Sequence, residues 1–391
     1  MINSFADKIV LNALKLIKFG QLRVINHDKR EYLFGEENKD LKVVLKINSK
    51  NFNSSILKKG SVGLAEAYMC GDIETNNLSD LIELTARNIS IIHKFSGILD
   101  FTLINNIKGL FIKNTKSQSK KNILKHYDLG NEFFSLWLDK SLTYSSAIFD
   151  NDEKDLEAAQ LNKYKKLINL IKPKSGDKIL EIGCGWGGFA EYIGKNFDVK
   201  LDCITISKKQ FDYTKKRIQK NGLNEKINIS MRDYRDVKNQ YNSIASIEMI
   251  EAVGKNYLKN YFKTIKKNLS PQGIAAIQAI TIDDKLYERY ATKQDFIQKY
   301  IFPGGFLPSK NKLIELSELT GLKISRFNSY GLHYSNTLQI WKKEFQKKWD
   351  LISDQGFDQK FKRMWNFYLS YCEAGFKSRN IDLIQFSLQS R

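Results

Sequence analysis

The sequence Ile-Leu-Glu-Ile-Gly-Cys-Gly-Trp-Gly-Gly, residues 179–188, decides the fold of this 391-residue chain. Its apolar beginning predicts a buried strand, its alternate glycines predict a tight loop, and the apolar spacing that follows predicts a helix. A glycine-rich turn between a strand and a helix brings the backbone close to a nucleotide-like ligand. The glycines and Asp202 also fit the dinucleotide fingerprint, so this stretch alone leaves S-adenosylmethionine (SAM) and a dinucleotide open.

Strands and helices alternate on both sides of this stretch. We expect strands near 178–182, 199–205, 226–230, 243–247 and 273–280. This alternation predicts a doubly wound, Rossmann-like α/β sheet in a domain spanning 123–391. A helical cover is expected near 283–320, two more strands near 322–329 and 336–341, and an aromatic helical tail over 342–378.

The N-terminal part of the chain has a different pattern. Residues 5–19 are amphipathic and predict a helix that lies either at a membrane interface or on its own domain. Alternation within 20–60 predicts short antiparallel strands, and 63–90 predict helix. The Lys/Asn/Ser-rich residues 111–122 predict a linker. Residues 1–110 are therefore expected to form a smaller α+β domain that associates with lipid or membrane.

Composition limits the possible functions. The formal net charge is +20, which reflects either biased coding or a basic surface for an anionic partner such as phospholipid or nucleic acid. With 42% hydrophobic residues the chain can bury real cores, which argues against global disorder. No apolar run reaches the roughly 18 residues of a spanning helix. The four cysteines lack metal-ligand spacing, and no signal peptide is recognised, so a cytoplasmic protein without a metal site is expected.

The segment after the second strand favours SAM over a dinucleotide. The strand continues past Asp202 to Thr205, so its carboxyl end offers a hydroxyl where a dinucleotide fold places an acid. Hydroxyl and amide groups can bond ribose hydroxyls without an acid, and the next loop offers a carboxylate and a ring for adenine, or is an ordinary turn. The candidate SAM contacts at this edge are Glu181, Thr205, Ser207, Gln210, Asp233 and Tyr234.

Eight stretches together resemble the cyclopropane-fatty-acyl-phospholipid synthases and mycolic acid cyclopropane synthases, which are SAM-dependent lipid methyltransferases. Their order and spacing are specific, although no single one is. They begin at Gly63 (GLAEAYM), His126 (HYDLGNEFF), Leu142 (LTYSS), Leu180 (LEIGCGWGG), Thr205 (TISKKQ), Ser246 (SIEMIEAVG), Tyr300 (YIFPGGFLP) and Tyr368 (YLSYCEAGF), and they span almost the entire chain. The resemblance implies a class I SAM methyltransferase fold and methylene transfer from SAM to a cis double bond of an acyl chain.

The resemblance also implies a catalytic base, a bicarbonate held by a cysteine, a glutamate, a histidine, a tyrosine and a backbone group. These positions fall on Ser146, Glu251, Gln278, Tyr334 and the backbone of Ile280. Serine and glutamine can still hydrogen-bond an anion, but glutamine cannot titrate as histidine does. If the anion is retained, the expected product is a cyclopropane; if it is lost, the product is an open-chain methyl-branched or methylene-bearing lipid.

Further residues follow from the resemblance. The cofactor contacts are expected to include Tyr144, Ser145, Gly183, Gly185 and Gly187, and the segment His126-Tyr127-Asp128 is expected to order a lid over the cofactor. Four aromatic residues either line an acyl tunnel or form ordinary core: Phe302, Phe306, Trp365 and Tyr368.

The implied partner is unsaturated phospholipid at an anionic membrane surface, met from the cytoplasm by a protein bound to the inner face of the membrane. The sequence has no recognisable module in which aromatic and basic residues alternate, so it does not predict nucleic-acid binding. An RNA or small-molecule methyltransferase and a non-catalytic lipid-binding protein on the same scaffold remain alternatives. A homodimer is left open.

Overall fold

The computed structural model describes residues 5–36, 41–89, 114–116, 118–119, 122, 129–150 and 155–390. Contacts divide the chain into two compact units. The first comprises Met1–Phe111, Thr292–Ile301 and Trp349–Asn380, and the second comprises Ile112–Ala291, Phe302–Lys348 and Ile381–Arg391. The domain boundaries expected near 110 and 123 stay predictions.

The strands form two sheets. They are β1 (Gln21–Ile25), β2 (Glu31–Gly35), β3 (Lys42–Ile47), β4 (Ile73–Thr75), β5 (Lys178–Ile182), β6 (Lys200–Thr205), β7 (Ile227–Met231), β8 (Tyr241–Ile247), β9 (Leu269–Ile282), β10 (Leu322–Ser329) and β11 (Ile381–Ser390). The first unit contains the four-stranded sheet, in the order β2-β1-β3-β4, and the second unit contains the seven-stranded sheet, in the order β10-β11-β9-β8-β5-β6-β7.

The described α-helices are α1 (Phe5–Leu14), α2 (Phe52–Lys59), α3 (Ser61–Cys70), α4 (Leu78–Arg87), α5 (Asn131–Ser135), α6 (Leu156–Ile171), α7 (Gly188–Asn196), α8 (Lys208–Lys220), α9 (Leu258–Asn268), α10 (Asp284–Tyr290), α11 (Lys310–Leu319), α12 (Gly331–Lys347), α13 (Trp349–Ser353) and α14 (Gln359–Lys377). Short 3₁₀ turns occupy Tyr234–Asp236, Ile250–Ala252 and Lys255–Tyr257, and a π-helical turn occupies Ile297–Ile301.

The large sheet confirms the predicted doubly wound arrangement. Strands β9, β8, β5, β6 and β7 are parallel, and β11 pairs antiparallel with β9. Helices cover both faces, because one apolar core contains Phe189 of α7 and Ile218 of α8, and the other contains Phe262 of α9 and Leu313 of α11. The strand order reverses between β5 and β8, and ligands bind at such a switch point, outside the carboxyl ends of the strands.

In the first unit, the small sheet confirms that strands lie within 20–60, but the expectation that they are all antiparallel is wrong for β1 and β3. Strand β1 pairs antiparallel with β2 and parallel with β3, and Leu22 and Val24 face its core. The helix predicted over 63–90 is wrong as a single element. Gly71, with φ +81°, ends α3, and β4 follows before α4 begins. The first helix also ends earlier than predicted, at Leu14.

In the second unit, the strand predicted near 336–341 is wrong. This segment lies inside α12, where the buried residues Tyr334, Leu338, Trp341 and Phe345 recur at helical spacing. A strand that the sequence analysis did not assign, β11, instead fills the sheet between β9 and β10.

The segment 111–122, expected to be a linker, is described only in part. Asn114 and Asn122 are buried, and Asn114 Nδ2 donates to the Gly304 carbonyl at 2.8 Å. The expected lid residues His126, Tyr127 and Asp128 lie outside the described residues.

Candidate active site

The glycine loop between β5 and α7 has the backbone geometry that its sequence predicts. Gly183, Gly185 and Gly187 have φ values of +82°, +53° and +82°, a region that disfavours other residues. A Cβ atom on Gly187 would lie 2.6 Å from Thr214 Cγ2, whereas a Cβ on Gly185 would meet no atom within 4 Å. Gly185 therefore borders open space, as expected where the backbone approaches a nucleotide-like ligand.

Three residues predicted to contact SAM meet at the carboxyl end of β6. Thr205 Oγ1 donates to Gln210 Oε1 at 3.0 Å, and the Ser207 N–H donates to Thr205 Oγ1 at 3.2 Å. Ser207 Oγ also accepts from the Gln210 N–H and caps α8. The glycine loop lies beside them, since the Gly183 N–H bonds the Ile204 carbonyl. Their contact with the ribose stays a prediction.

Asp233 and Tyr234, the residues predicted at the adenine, already have protein partners. Arg235 Nη2 and Nε donate to the Asp233 carboxylate at 2.6 and 2.8 Å. Burial opposes ionisation of Asp233, but the hydrogen bonds from Arg235 outweigh it and hold its pKa below the usual range. Tyr234 is buried and packs edge-on against Tyr261, with ring centroids 5.5 Å apart. Their adenine roles stay predictions.

Glu181 lies inside β5, two residues before the first glycine. Its Oε2 accepts a hydrogen bond from Cys203 Sγ at 3.3 Å. Burial raises the pKa of Glu181 to about 7, although this hydrogen bond opposes the shift. The carboxyl group can therefore change protonation near neutral pH, as groups at functional sites often do. Its contact with the amino group of SAM stays a prediction.

Tyr144 belongs to a cluster of aromatic rings. The rings of Phe134, Trp137 and Trp341 lie 5.1, 5.6 and 5.4 Å from that of Tyr144. Trp341, which is fully buried on α12, also meets Tyr334 edge-on at 6.2 Å. We call these five residues the aromatic wall. Aromatic faces attract positive charge, so the wall suits a site that handles a cationic donor or intermediate.

Lys163 on α6 is a buried cation that the sequence analysis missed. Its Nζ donates to Ser145 Oγ at 2.7 Å and to Gln160 Oε1 at 2.6 Å. Burial lowers the pKa of Lys163 to about 7, and the negative charge of Glu248 opposes that shift. A lysine at helical spacing between buried Ala159 and buried Leu167 was the available signal. Lys163 fixes the Ser145 hydroxyl, a predicted SAM contact.

The five residues predicted to hold an anion fall into two groups, and the first group surrounds another glutamate. The Ser146 N–H and Gln278 Nε2 donate to Glu248 Oε1 at 2.9 and 2.8 Å. The Tyr334 hydroxyl donates to Glu248 Oε2 at 2.7 Å. Glu248 has no role predicted from the sequence, although it is a second acid three residues before Glu251.

The second group consists of Glu251 and Ile280. The Ile280 N–H donates to Glu251 Oε1 at 2.5 Å, and Glu251 Oε2 is buried without a hydrogen-bond partner in the described part of the chain. Burial, together with the negative charge of Glu248, raises the pKa of Glu251 to about 8. Two neighbouring buried carboxyl groups with different surroundings are a common source of an acid and a base.

The raised pKa of Glu251 predicts how stability depends on pH. A carboxyl group whose pKa rises from 4.5 to about 8 on folding takes up a proton, so its share of stability falls as pH rises through that window. Glu251→Gln mimics the protonated acid and should remove this share. We expect the variant to lose less unfolding free energy than the wild type between about pH 6 and about pH 8.5, measured by urea unfolding. Equal losses would contradict the assignment.

Other residues considered for the site have different surroundings. His333 Nδ1 accepts a hydrogen bond from the Phe149 N–H at 3.2 Å, so it has a structural partner. The four aromatic residues considered for an acyl tunnel divide between the units, with Trp365 and Tyr368 in the first and Phe302 and Phe306 in the second.

Together, the doubly wound sheet, the glycine loop at its switch point and the hydroxyl-bearing end of β6 define a class I SAM-dependent methyltransferase. Comparison with known proteins agrees. The chain belongs to the mycolic acid cyclopropane synthetase family, whose model matches residues 114–386. Residues 11–94 match a separate domain of unknown function.

Two curated relatives illustrate the range of this family. The chain is 34% identical to the tuberculostearic acid methyltransferase UfaA1 of Mycobacterium tuberculosis over 339 residues, which are 85% of this chain and 79% of the relative. It is also 34% identical to the cyclopropane-fatty-acyl-phospholipid synthase of Escherichia coli over 346 residues, which are 87% of this chain and 86% of the relative.

Solved structures show the same fold. The cyclopropane synthase MmaA2 from Mycobacterium tuberculosis aligns with a TM-score of 0.65 at 27% identity, covering 69% of this chain and 97% of that chain. The mycolic acid cyclopropane synthase CmaA1, complexed with S-adenosylhomocysteine (SAH) and CTAB, aligns with a TM-score of 0.65 at 26% identity, covering 69% of this chain and 98% of that chain.

Proposed function

We propose that this protein transfers the methyl group of SAM to a cis double bond in an unsaturated acyl chain of membrane phospholipid and closes it to a cyclopropane. The observation that carries the proposal is that the aromatic wall and the buried carboxyl groups of Glu248 and Glu251 meet at the switch point beside the glycine loop. A relative of similar length carries the name cyclopropane-fatty-acyl-phospholipid synthase.

The reaction explains why the site needs these groups. The alkene π electrons form a bond to the methyl carbon, and the carbon–sulfur pair stays on sulfur to give SAH. The remaining carbocation is next to the aromatic wall, where π density favours positive charge. A base then takes a proton from the added methyl group, and the released C–H electron pair closes the ring.

Open-chain methylation is a second candidate, and a specific observation favours it. Ser146, Gln278 and Tyr334 hold the Glu248 carboxylate, so the site differs from the bicarbonate site that the family resemblance implies. A hydride shift followed by proton loss would give a methylene-bearing or methyl-branched alkene with no change in overall redox state. One relative at 34% identity is named a tuberculostearic acid methyltransferase.

The product separates the two candidates. The full chain is expressed in a bacterial host that lacks its own synthase, and proton NMR is recorded on the extracted fatty acids. Upfield cyclopropyl methylene signals are the expected result. Vinylic signals with a new methyl or methylene group would establish the open-chain reaction. Unchanged lipids together with SAH binding by the protein would contradict both.

We further propose that the protein works at the anionic inner face of the membrane, from the cytoplasm, and that nucleic acid is not a partner. The net charge of +20 supports attraction to anionic lipid. Within the described ranges, no helix is long and apolar enough to cross a bilayer. The N-terminal segment exposes Phe5 and Phe19 next to the exposed lysines Lys8 and Lys18, which is the composition of an interfacial segment. A homodimer stays a prediction.

This docking proposal predicts a loss of vesicle binding. The double variant Phe5→Ser/Phe19→Ser should bind anionic phospholipid vesicles at least about tenfold more weakly. Removing each phenylalanine side chain from water contributes about 1.5–3 kcal/mol to the binding free energy. Sedimentation with vesicles measures the effect. The matched control is Leu319→Ser, which removes an exposed apolar side chain from α11 of the second unit. If the double variant binds as the control does, this segment does not dock the protein.

A further inference from the structure

We propose that the Glu248 carboxylate is itself the catalytic base, occupying the position of an exchangeable anion, so that this protein works without bicarbonate. The inference rests on the proposed methyl transfer to an alkene. It differs from the sequence-based expectation, in which Ser146, Gln278 and Tyr334 hold a dissolved anion.

The hydrogen bonds around Glu248 have the form of an anion site. Oε1 accepts from the Ser146 N–H and from Gln278 Nε2, and Oε2 accepts from the Tyr334 hydroxyl. A carboxylate has about four acceptor positions, two on each oxygen. Oε2 uses one of them for the Tyr334 hydroxyl, so its second position can accept a proton. The Ser146 hydroxyl donates to the Ala147 carbonyl at 2.8 Å, so the backbone N–H supplies the contact.

The backbone shows that this placement is built into the fold. Glu248 follows β8 with φ +49°, a left-handed conformation that glycine adopts more easily. Its own N–H donates to the Gln278 carbonyl at 2.8 Å, so the two residues are joined by both backbone and side chain. A strained residue held by several hydrogen bonds at the end of a central strand is typical of functional sites.

Two further residues orient the site. Gln385 Nε2 donates to Gln278 Oε1 at 2.8 Å, which turns the Gln278 amide so that its NH₂ faces Glu248. A glutamine in this orientation donates at every pH, whereas a histidine would donate according to its protonation state. The same Gln385 Nε2 bonds the Lys163 carbonyl at 3.3 Å. This network accounts for glutamine at position 278.

The charged and titratable groups that face Glu248 come from three elements. Lys163 of α6 attracts the carboxylate, and Tyr334 of α12 donates to it. Glu251 of the turn after β8 repels it only when ionised, and the Glu248 charge is one reason that the pKa of Glu251 is raised. Burial raises the pKa of Glu248, while the Tyr334 hydrogen bond and the Lys163 charge act against that rise. A carboxylate with a raised pKa is a stronger base than one in water.

The proton transfer balances without any further reactant. After the methyl carbon has bonded to the alkene, Glu248 Oε2 takes one proton from that methyl group. The C–H electron pair forms the third bond of the ring at the cationic carbon, and the carboxylic acid returns its proton to water after the product leaves. No oxidant, reductant or dissolved anion takes part.

Two substitutions of the full chain test the assignment. Glu248→Gln keeps the shape of the side chain and removes the base, so turnover on unsaturated phospholipid vesicles should fall by about a hundredfold or more while SAH affinity stays near that of the wild type. Glu248→Gly suits the φ of +49° and vacates the carboxylate position. The turnover of Glu248→Gly should be low without an added anion and should rise when bicarbonate or formate is added. The turnover of Glu248→Gln should not respond to either anion.

The wild type tests whether bicarbonate is needed for turnover. A measurement of bicarbonate binding tests the placement of Glu248 even if the protein modifies no lipid. Wild-type turnover should be unchanged in buffer depleted of carbon dioxide; a loss that bicarbonate restores would overturn the proposal, as would full activity of Glu248→Gln. Carbon-13 NMR should detect bicarbonate bound to Glu248→Gly and not to the wild type, and binding to the wild type would also overturn it. If the wild type modifies no lipid yet this binding difference is found, the proposed reaction fails while the placement of Glu248 stands.

A matched control separates backbone strain from chemistry. Lys172 also has a left-handed φ, of +46°, at the end of α6. Lys172→Gly should relieve comparable strain without changing turnover or its response to bicarbonate. A similar change in both glycine variants would assign the effect of Glu248→Gly to the backbone.

Discussion

Gly185→Ala is expected to weaken SAH binding by about a hundredfold, equal to about 2.8 kcal/mol. The reason is position, since a Cβ atom here meets no protein atom within 4 Å and would occupy space that we predict for the ligand. The φ of +53° adds a strain of about 1–2 kcal/mol to the folded protein. Isothermal titration with SAH measures the affinity directly.

Gly222→Ala is the matched control for this variant. Gly222 also has a positive φ, of +66°, and a Cβ there likewise meets nothing within 4 Å, but the residue lies in the turn after α8. Both variants should lose similar unfolding free energy, and only Gly185→Ala should lose SAH affinity. Equal affinities would show that the loop does not bring Gly185 against the ligand.

Trp341→Ala is expected to destabilise the second unit by about 3–5 kcal/mol, because truncation of a buried aromatic side chain leaves a cavity. Trp341 is fully buried, and its ring meets those of Trp137, Tyr144 and Tyr334 at 5.7, 5.4 and 6.2 Å. Urea unfolding followed by far-UV circular dichroism measures the loss. Turnover should fall as well, since Tyr334 loses a neighbour that holds it against Glu248.

Two other variants locate the cause of this effect. Leu332→Ala truncates an exposed side chain on the same helix and should change stability by less than about 0.5 kcal/mol. Trp341→Phe retains an aromatic ring and should recover part of both stability and turnover. If Trp341→Ala is as stable as Leu332→Ala, the aromatic wall does not support α12.

The sequence was sufficient for the parts of the fold that depend on local pattern. The apolar run and alternate glycines of 179–188 specified β5, the loop and α7, because strand, tight turn and helix each have a short-range signature. The strands near 199–205 and 243–247 were confirmed for the same reason. The direction of those strands then fixed which edge of the sheet carries the site.

The sequence was insufficient where spacing was ambiguous. In residues 336–341, Leu338 and Ile340 are separated by the polar Gln339, which is the spacing of a strand. The longer period through Tyr334, Leu338 and Trp341 is helical. The strand β11 was missed because a strand buried on both faces shows no alternation.

The chemistry of the candidate site depended on contacts between distant parts of the chain. Ser146, Gln278 and Tyr334 could be selected from motifs, but their shared contact with Glu248 joins it to residues 30 to 102 positions away in sequence. Lys163 was missed for the same reason, since its burial is understandable only from charged groups such as Glu248 that the fold places near it.

The central claim is that the methyl carbon of SAM enters an unsaturated acyl chain. The most direct test incubates the purified full chain with SAM labelled with carbon-13 in its methyl group and with anionic vesicles of cis-unsaturated phospholipid. Carbon-13 NMR of the extracted lipid should show the label in the acyl chain, as a cyclopropyl methylene carbon. Unlabelled lipid from a protein that still binds SAH would contradict the account.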